Sequence, residues 1–585
     1  MAPWAVVDRR RFLQLSASAG LGLAVAGTPA STAVGRAATR SVATGAPYEP
    51  VAAYPAGVIS GDPTSSAILL WTRIDPTLAK TTEVTWELGR SAAFEAGSVL
   101  ASGAVTTVAS SDHTVHVEAT GLQPSTTYWY RFTAGGVTSP IGRTRTLPAG
   151  DVDHLRIAYF SCQRYVHGYY NAHADLAARA HDPATDVDLV ICLGDYVYES
   201  GPADDVVVPG RTDPDSPQLT LEDYRRQYHL YRTDLDLQAM HAAFPFIAIF
   251  DNHDGFSGPT DPQGPGARAA FFEQIPVRRS AEDPNRQYRS FALGNLCELF
   301  MMDQRQYRDP TPSNDAGPLG STTLEQPLMV EPGRTMLGDA QREWLLGGLE
   351  RSTAAWKVLG SQLVFSPLRS ERDPKTQATA GDGPQQNAGR YVNLIGWDGY
   401  QAERREIVDR IHDAGVEGVV VIAGDSHFWT TSEISTNYDD PDAPLVLTEF
   451  GGSSITSANA GEERDLPKND LIRPVVSAAN PLSLRFMDAE THGYAIIDLT
   501  PATAEVTYVT VPIVTHGPTG TTLARYQLDL GNPAVRHVEG DHYFPRTVPA
   551  DPAPGTDPGP STGDPTEPPV AAGATPITGS VSYTG

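Results

Sequence analysis

The chain has 585 residues, 40% of them hydrophobic and 19% charged, which is too long for one typical domain and enough to bury a large core. Its formal net charge of -27 excludes bulk nucleic-acid binding, because a phosphate backbone calls for a basic surface. The same charge repels anionic substrates at long range, so a phosphate-handling site needs its own positive charge, which metal ions supply.

In chain order, residues 1–38 read as an export signal. Arg9-Arg10-Arg11-Phe12-Leu13 precedes a short apolar, small-residue stretch that ends near Ala26. That is a basic segment, a hydrophobic segment and a small-residue cleavage region. Arg9-Arg10-x-Phe12-Leu13 resembles the twin-arginine signal. Cleavage after Ala33 and near Ala37-Ala38 both fit. The apolar stretch is shorter than the roughly 20 residues of a membrane span. The expected partner is the twin-arginine export machinery, which carries folded proteins and suits a chain that loads metal before crossing. The expected location is extracellular or at the cell surface.

Residues 39–148 read as all-β. Alternating runs such as Val84-Thr-Trp-Glu-Leu88 and His113-Thr-Val-His-Val-Glu118 are separated by turn clusters. Leu122 to Arg131 resembles the closing strand region of fibronectin type III modules, and about seven short strands in this length suggest a sandwich. Residues 149–545 change to apolar runs alternating with helical stretches, which indicates an α/β layer fold. The stretches 337–349 and 400–411 have amphipathic helical spacing. Residues 546–585 are rich in Pro, Gly, Asp and Thr, the composition of a disordered tail, and such a tail suits cell-surface association.

Four apolar runs in the α/β part end in polar residues: Arg156-Ile-Ala-Tyr-Phe-Ser-Cys162, Asp188-Leu-Val-Ile-Cys-Leu-Gly-Asp195 with Tyr198 after it, Phe246-Ile-Ala-Ile-Phe-Asp-Asn252-His253-Asp254, and Val419-Val-Val-Ile-Ala-Gly-Asp425-Ser-His427. Runs of this kind read as fully buried strands, and open α/β sheets bind ligands beyond the carboxyl ends of their strands. Each item has an ordinary reading: Asp195 as a helix cap, Asn252 to Asp254 as a turn, His427 as a structural histidine, Cys162 as a buried thiol. Their joint occurrence points to one metal-binding cluster. Cys192 and Cys297 lie inside apolar runs and read as small buried hydrophobes. Three cysteines do not make a disulfide framework.

These residues carry a resemblance to the PhoD-type alkaline phosphatases and phosphodiesterases of the calcineurin-like metallophosphoesterase superfamily. It runs from about residue 47 to 545 and includes Ser60-Gly-Asp-Pro, Leu70-Trp-Thr-Arg, Ser161-Cys-Gln163, Gly194-Asp-Tyr-Val-Tyr-Glu199, Asp303-x-Arg305-x-Tyr307-Arg308, Trp397-Asp-Gly-Tyr400 and Gly424-Asp-Ser-His427. The resemblance implies a metallophosphoesterase two-sheet α/β sandwich, preceded here by the all-β fibronectin III/Ig-like module, with a centre of Fe3+ and Ca2+. The ligand types agree. A phenolate and a thiolate call for a strong Lewis acid, so Cys162, Asp195, Tyr198 and His427 suit iron. Asp195 as a bridge with Asn252 and Asp425 suits Ca2+, a hard ion that takes oxygen ligands. Gln362 is a further candidate ligand. The chain departs from the family at Asn252 and Asp254, where Asp and Glu are usual, and a further downstream Asn of the family has no counterpart in Gly255-Phe-Ser-Gly-Pro.

The implied reaction is hydrolysis of phosphate mono- or diesters by a metal-activated hydroxide. His253 is the candidate general acid, Asp254 its orienting carboxylate, and Arg164 the holder of a non-bridging oxygen. Two alternatives remain open at this point. One is a phospholipase D-like phosphodiesterase distinguished by the polar stretches 201–216 and 369–387. The other is a non-catalytic surface-binding protein.

Overall fold

Short runs of Val, Ile, Leu and Ala set the architecture, because strands buried on both faces need apolar residues at every position. The computed structural model describes residues 48–199, 208–213, 220–261, 263–312, 327–370, 390–459, 462, 469–517 and 519–547. The expected signal segment, nearly all of the expected C-terminal tail and most of the stretches 201–216 and 369–387 lie outside the described residues.

The strands in chain order are β1 (Val58–Gly61), β2 (Ala67–Arg73), β3 (Glu83–Gly89), β4 (Val99–Thr106), β5 (Thr114–Thr120), β6 (Thr127–Ala134), β7 (Val137–Thr138), β8 (Gly142–Arg145), β9 (Leu155–Phe160), β10 (Leu189–Cys192), β11 (Pro245–Ala248), β12 (Arg289–Leu293), β13 (Cys297–Met301), β14 (Trp356–Ser361), β15 (Arg369–Ser370), β16 (Arg390–Tyr391), β17 (Val419–Ala423), β18 (Trp429–Ser435), β19 (Leu445–Gly451), β20 (Leu484–Asp488), β21 (Gly493–Leu499), β22 (Thr503–Thr510), β23 (Thr521–Asp529) and β24 (Asn532–Gly540). The helices used below are α1 (Asn171–Arg179), α2 (Leu221–Tyr231), α3 (Leu235–Ala243), α4 (Gly264–Gln274), α5 (Asp339–Arg351) and α6 (Gln401–Asp413). Helices α5 and α6 fall on the two stretches whose spacing predicts helices. Helix α2 starts at a capping box in which Thr220 and Asp223 satisfy each other's backbone N–H groups.

Ten strands form one mixed sheet in the order β24-β23-β22-β21-β9-β10-β11-β1-β2-β5, and seven form a second, β12-β13-β14-β17-β19-β18-β20. Strands β9, β10 and β11 are parallel, as are β13, β14 and β17. The two sheets pack face to face, with Ile157, Tyr159, Ile191 and Ile247 of the first sharing a core with Leu299, Met301, Val358 and Ile422 of the second. The outer face of the first sheet, with Phe160, Val190 and Cys192, packs on Leu176 of α1 and Leu237 and Met240 of α3. The outer face of the second, with Leu359 and Val421, packs on Leu345 and Leu349 of α5 and Ile407 and Ile411 of α6. The result is a four-layer α/β fold with each sheet covered on both faces.

The N-terminal segment is built of strands, but it is not closed off from the rest at the level of the sheet. Strands β1, β2 and β5 join the ten-stranded sheet through β1, whose second edge runs parallel to β11 in the register Ser60 to Pro245 and Gly61 to Phe246. Strands β4, β3, β6 and β7, with β8 on β6, make a separate five-stranded sheet over it. The pairing of β1 with β11 covers what would otherwise be an exposed row of N–H and C=O groups. All three cysteines are buried and free. No helix among the described residues is long and apolar enough to cross a membrane.

Candidate metal centre

The parallel strands of both sheets point their carboxyl ends at one region. Cys162 follows β9, Asp195 follows β10, Asn252 follows β11, Arg305 follows β13, Gln362 follows β14 and Asp425 follows β17. The chain must turn sharply at these ends, and several turns use left-handed backbone. Cys162, Asp195, Asp425 and His427 have φ of 60°, 53°, 64° and 55°. Such conformations cost a non-glycine residue of order 1 kcal/mol each and persist where the surroundings hold them. Glycine precedes two of the acids for a steric reason: a Cβ on Gly194 would lie 2.4 Å from Asp251 Cβ, and one on Gly424 would lie 2.7 Å from Ser161 Oγ.

Cys162, Asp195 and His427 bring Sγ, a carboxylate oxygen and a ring nitrogen within 4.8 Å of one another. The Tyr198 hydroxyl lies 3.3 Å from Asp195 Oδ2 and 3.3 Å from His427 Nε2, and Cys162 Sγ lies 3.6 Å from Asp195 Oδ2. The His427 Nδ1–H donates to the Ala458 carbonyl at 2.7 Å, which fixes the tautomer and leaves Nε2 with its lone pair toward Tyr198. Burial above all keeps this imidazole neutral, with its pKa lowered to about 3. Burial likewise pushes the Cys162 thiol and the Tyr198 phenol well up, reinforced at Cys162 by Asp195 and at Tyr198 by Cys162 and Asp195. The carboxyls of Asp195 and Asp425 are raised by burial first and by neighbouring Asp251. Acids packed this closely oppose one another's ionisation, and a cation among them reverses the upward shifts of the acids while keeping the His427 imidazole neutral. The donor set therefore fits a metal ion.

Beside this group lie Asn252 and Asp425, bridged by Arg305. The Arg305 guanidinium donates from Nη2 to Asn252 Oδ1 and Asp425 Oδ1, both at 2.9 Å, and from Nε to Asp251. Burial opposes its charge, but the Asp251 and Asp425 carboxylates hold its pKa above the ordinary value. Asp425 Oδ2 and Asp251 Oδ2 are buried without a hydrogen-bond partner, a costly state that a bound cation relieves. Asp425 Oδ2 is thus open to a cation, while Arg305 holds Asp425 Oδ1 and Asn252 Oδ1 in place. The Asp303-x-Arg305 motif marks this residue in the sequence, but its clamping role becomes visible only in the fold.

His253 stacks on Tyr198, ring centroids 4.2 Å apart. Its backbone N–H donates to Asp195 Oδ1 at 3.0 Å, and its Nδ1 pairs with Glu199 Oε2 at 2.9 Å. Burial alone would lower the His253 pKa, but Glu199 and then Asp195 outweigh it and raise it to about 9. This corrects the expected role of Asp254. Its buried carboxylate faces away from the imidazole and accepts the backbone N–H groups of Asp251, Tyr196 and Val197. Asp254 thus pins the turn that carries Asp195 and Tyr198, and Glu199 is the orienting carboxylate. Gln362 ties strand ends together: its amide accepts from the Gln304 N–H at 2.8 Å and donates to the Phe250 carbonyl at 2.6 Å, which gives it a supporting place beside the centre. Arg164 is buried, with its guanidinium carbon 5.4 Å from the Tyr198 ring centroid.

A strap after β19 closes the back of the centre. Ile455 N–H donates to the Ser161 carbonyl at 2.9 Å, Ser457 N–H to the Cys162 carbonyl at 3.0 Å, and Thr456 Oγ1 to the Arg164 carbonyl at 3.0 Å. The Ala458 peptide serves two histidines, accepting from His427 and donating to His167 Nδ1 at 2.9 Å. Sequence reading misses this strap because most of its contacts are made by backbone groups.

Comparison with known proteins agrees over most of the chain. The PhoD-like phosphatase family model matches residues 157–508, and the PhoD-like phosphatase N-terminal domain matches residues 38–148. Alkaline phosphatase D of Bacillus subtilis (strain 168) is 32% identical over 541 residues, spanning 87% of this chain and 85% of that protein. A solved structure of PhoD superposes with a TM-score of 0.72 at 30% identity, covering 85% of this chain and 94% of that one. A purple acid phosphatase from yellow lupin seeds aligns with a TM-score of 0.47 at 11% identity, covering 81% and 73%. With the catalytic segment matched from the first strand of the centre to the last, the chain belongs to the PhoD-like phosphatase family.

Proposed function

We propose that this chain is an exported, metal-dependent alkaline phosphatase and phosphodiesterase that hydrolyses phosphate esters. The observation that carries the reading is the convergence of Cys162, Asp195 and His427 within 4.8 Å, with the Tyr198 hydroxyl against them. A phenol and a thiol in one donor set suit Fe3+, held by Cys162, Asp195, Tyr198 and His427. The oxygens of Asp195, Asn252 and Asp425 suit Ca2+. When bound, these ions supply Lewis acidity toward the phosphoryl oxygens and lower the pKa of water.

The chain's own residues do the rest. His253 gives the proton to the leaving oxygen, and Glu199 holds its other ring nitrogen so that the donor faces outward. Arg305 fixes Asn252 and Asp425. Arg164 beside Tyr198 is placed to meet a non-bridging oxygen. We assign residues 1–38 to a twin-arginine signal, 39–148 to a fibronectin III/Ig-like module that extends the catalytic sheet, 149–545 to the catalytic part and 546–585 to a tail suited to the cell surface.

The test is turnover of p-nitrophenyl phosphate and its bis ester by the exported form, together with elemental analysis. Activity lost to chelator and restored by iron with calcium is the expected result. Metal-replete protein that is inert toward both esters would overturn the reading.

A further inference from the structure

Gly61-Asp62-Pro63 is part of the N-terminal resemblance, yet it takes no part in the metal centre. Asp62 is fully buried with φ of 40°, and its carboxylate is used up by two arginines. Arg289 donates to it twice, Nε to Oδ2 at 3.0 Å and Nη2 to Oδ1 at 2.8 Å. The backbone N–H of Arg278 donates to Oδ2 at 2.6 Å. Gly61 must be glycine for this approach, since a Cβ there would lie 2.5 Å from the Pro276 carbonyl oxygen. The N-terminal segment thereby pins residues 276–289 against the catalytic sheet.

The clamp forms one wall of a cavity of about 220 Å3 lined by Asp62, Arg278, Arg279, Arg286, Tyr288 and Arg289. Asp62 offsets Arg289, and Glu118 offsets the Arg278 guanidinium. Arg279 and Arg286 are left over: among the described residues no carboxylate pairs with either. Both are nevertheless held in place. Arg279 Nε donates to the Pro284 carbonyl at 3.0 Å, and its guanidinium carbon lies 4.4 Å from the Phe272 ring centroid. The Arg286 guanidinium carbon lies 5.3 Å from the Tyr288 ring centroid. These two guanidiniums share one cavity without a carboxylate partner among the described residues, in a chain where 70 acidic residues face 43 basic ones. The cavity also borders the catalytic loop. Tyr288 packs on Tyr307 with centroids 5.7 Å apart, and Gln306 donates to the Asn285 carbonyl at 3.0 Å, next to the Arg305 that holds the metal ligands.

The geometry points to a second phosphate-binding site in this cavity, formed by Arg279 and Arg286 and separate from the metal centre. Guanidinium forks match phosphate oxygens in pairs, and in so acidic a chain such a pair offers local attraction where the long-range field repels. The site deepens the phosphatase reading and rests on it. Its ligand is a phosphate group, either the distal phosphate of an ester whose other phosphoryl group occupies the metal centre, or free inorganic phosphate.

The test uses metal-replete full-length protein and the double variant R279A/R286A, which lies outside the catalytic residues. Thermal unfolding and metal content serve as controls that the fold and centre are kept. Turnover of p-nitrophenyl phosphate and its bis ester is measured first: inactivity of the wild type toward both would overturn the phosphatase reading, whereas the variant should match wild type. The first arm compares p-nitrophenyl alkyl phosphodiesters whose alkyl end carries either a phosphate or a hydroxyl group, over several spacer lengths. The second arm titrates inorganic phosphate calorimetrically into both proteins. If the source is the substrate, wild type prefers the phosphate-tipped ester, and the variant raises its KM by about tenfold with kcat unchanged, the loss expected for charge-assisted pairs. If the source is free phosphate, the variant loses one binding event and the two esters behave alike. A variant indistinguishable from wild type in both arms overturns the proposal.

Discussion

Tyr198 links the proposed iron site to the residues around it. Its hydroxyl lies 3.3 Å from Asp195 and from His427, its ring stacks on His253, and Arg164 lies against it. A phenolate on Fe3+ gives a ligand-to-metal charge-transfer band. Tyr198→Phe removes the oxygen and keeps the buried ring, so the visible band should weaken or shift and iron should bind less tightly. Absorbance with elemental analysis checks this, and an unchanged spectrum at full activity would replace iron by a divalent ion. Glu199 offers a second test. Glu199→Gln removes the charge that holds His253, and the loss of activity should be about tenfold with p-nitrophenyl phosphate and larger with a methyl or ethyl ester. A poor leaving group needs its proton more, so equal losses on both esters would mean that His253 is not the acid. The residues that gather at the strand ends are legible in the sequence because they sit at or just after the ends of apolar runs. The sequence points to Asp254 rather than Glu199 as the partner of His253, because adjacency along the chain does not show which way a turn aims a carboxylate.

At the level of elements, one turn and one strand carry testable consequences. Gly194 has φ of 120°, and its missing side chain leaves room for Asp251. Gly194→Ala adds both backbone strain and a clash in a packed site, so a loss of about 3 kcal/mol is expected together with loss of bound metal. Chemical denaturation and metal analysis measure the two effects, and a variant that keeps stability and metal would show that the turn relaxes freely. Glu449, on β19, has its pKa raised from 4.5 to about 7, mainly by burial, although its carboxylate accepts N–H groups from Phe365 and Ser366. The folded state therefore binds this proton more tightly than the unfolded chain does. The resulting stability is fully present below about pH 4.5 and is lost as pH rises through 7. Glu449→Gln keeps an oxygen for the two N–H groups and does not ionise. Its melting temperature should fall less than that of wild type between pH 5 and 8, and parallel profiles would contradict the burial argument.

Across the whole molecule, the alternation of apolar runs with helical stretches reveals the α/β layers, since each run is long enough for one buried strand and each helix shows one apolar stripe. Strand partners are another matter. The four-residue β1, Val58-Ile-Ser-Gly61, says nothing about its pairing with β11, because register between distant segments is set by the assembled sheet. That pairing makes the N-terminal segment part of the catalytic core. Removal of residues 48–148 would expose the β11 edge and uncover the side chains that pack beside Trp71, whose indole N–H donates to the Glu273 carbonyl at 2.8 Å at the end of α4. It would also release Arg289 from Asp62, leaving the start of β12 without its anchor. An open parallel edge with apolar residues on both faces favours aggregation over a folded monomer. The fragment 149–547 should therefore be insoluble or associated when expressed alone, and it should fail to load metal. A nick engineered in the Gly135-Gly136 turn, where both residues have positive φ and Gly136 faces open space, should by contrast leave the full chain folded and metal-loaded. Analytical ultracentrifugation with metal analysis separates the cases, and a soluble, monomeric, metal-bound 149–547 fragment would show that the two segments fold independently.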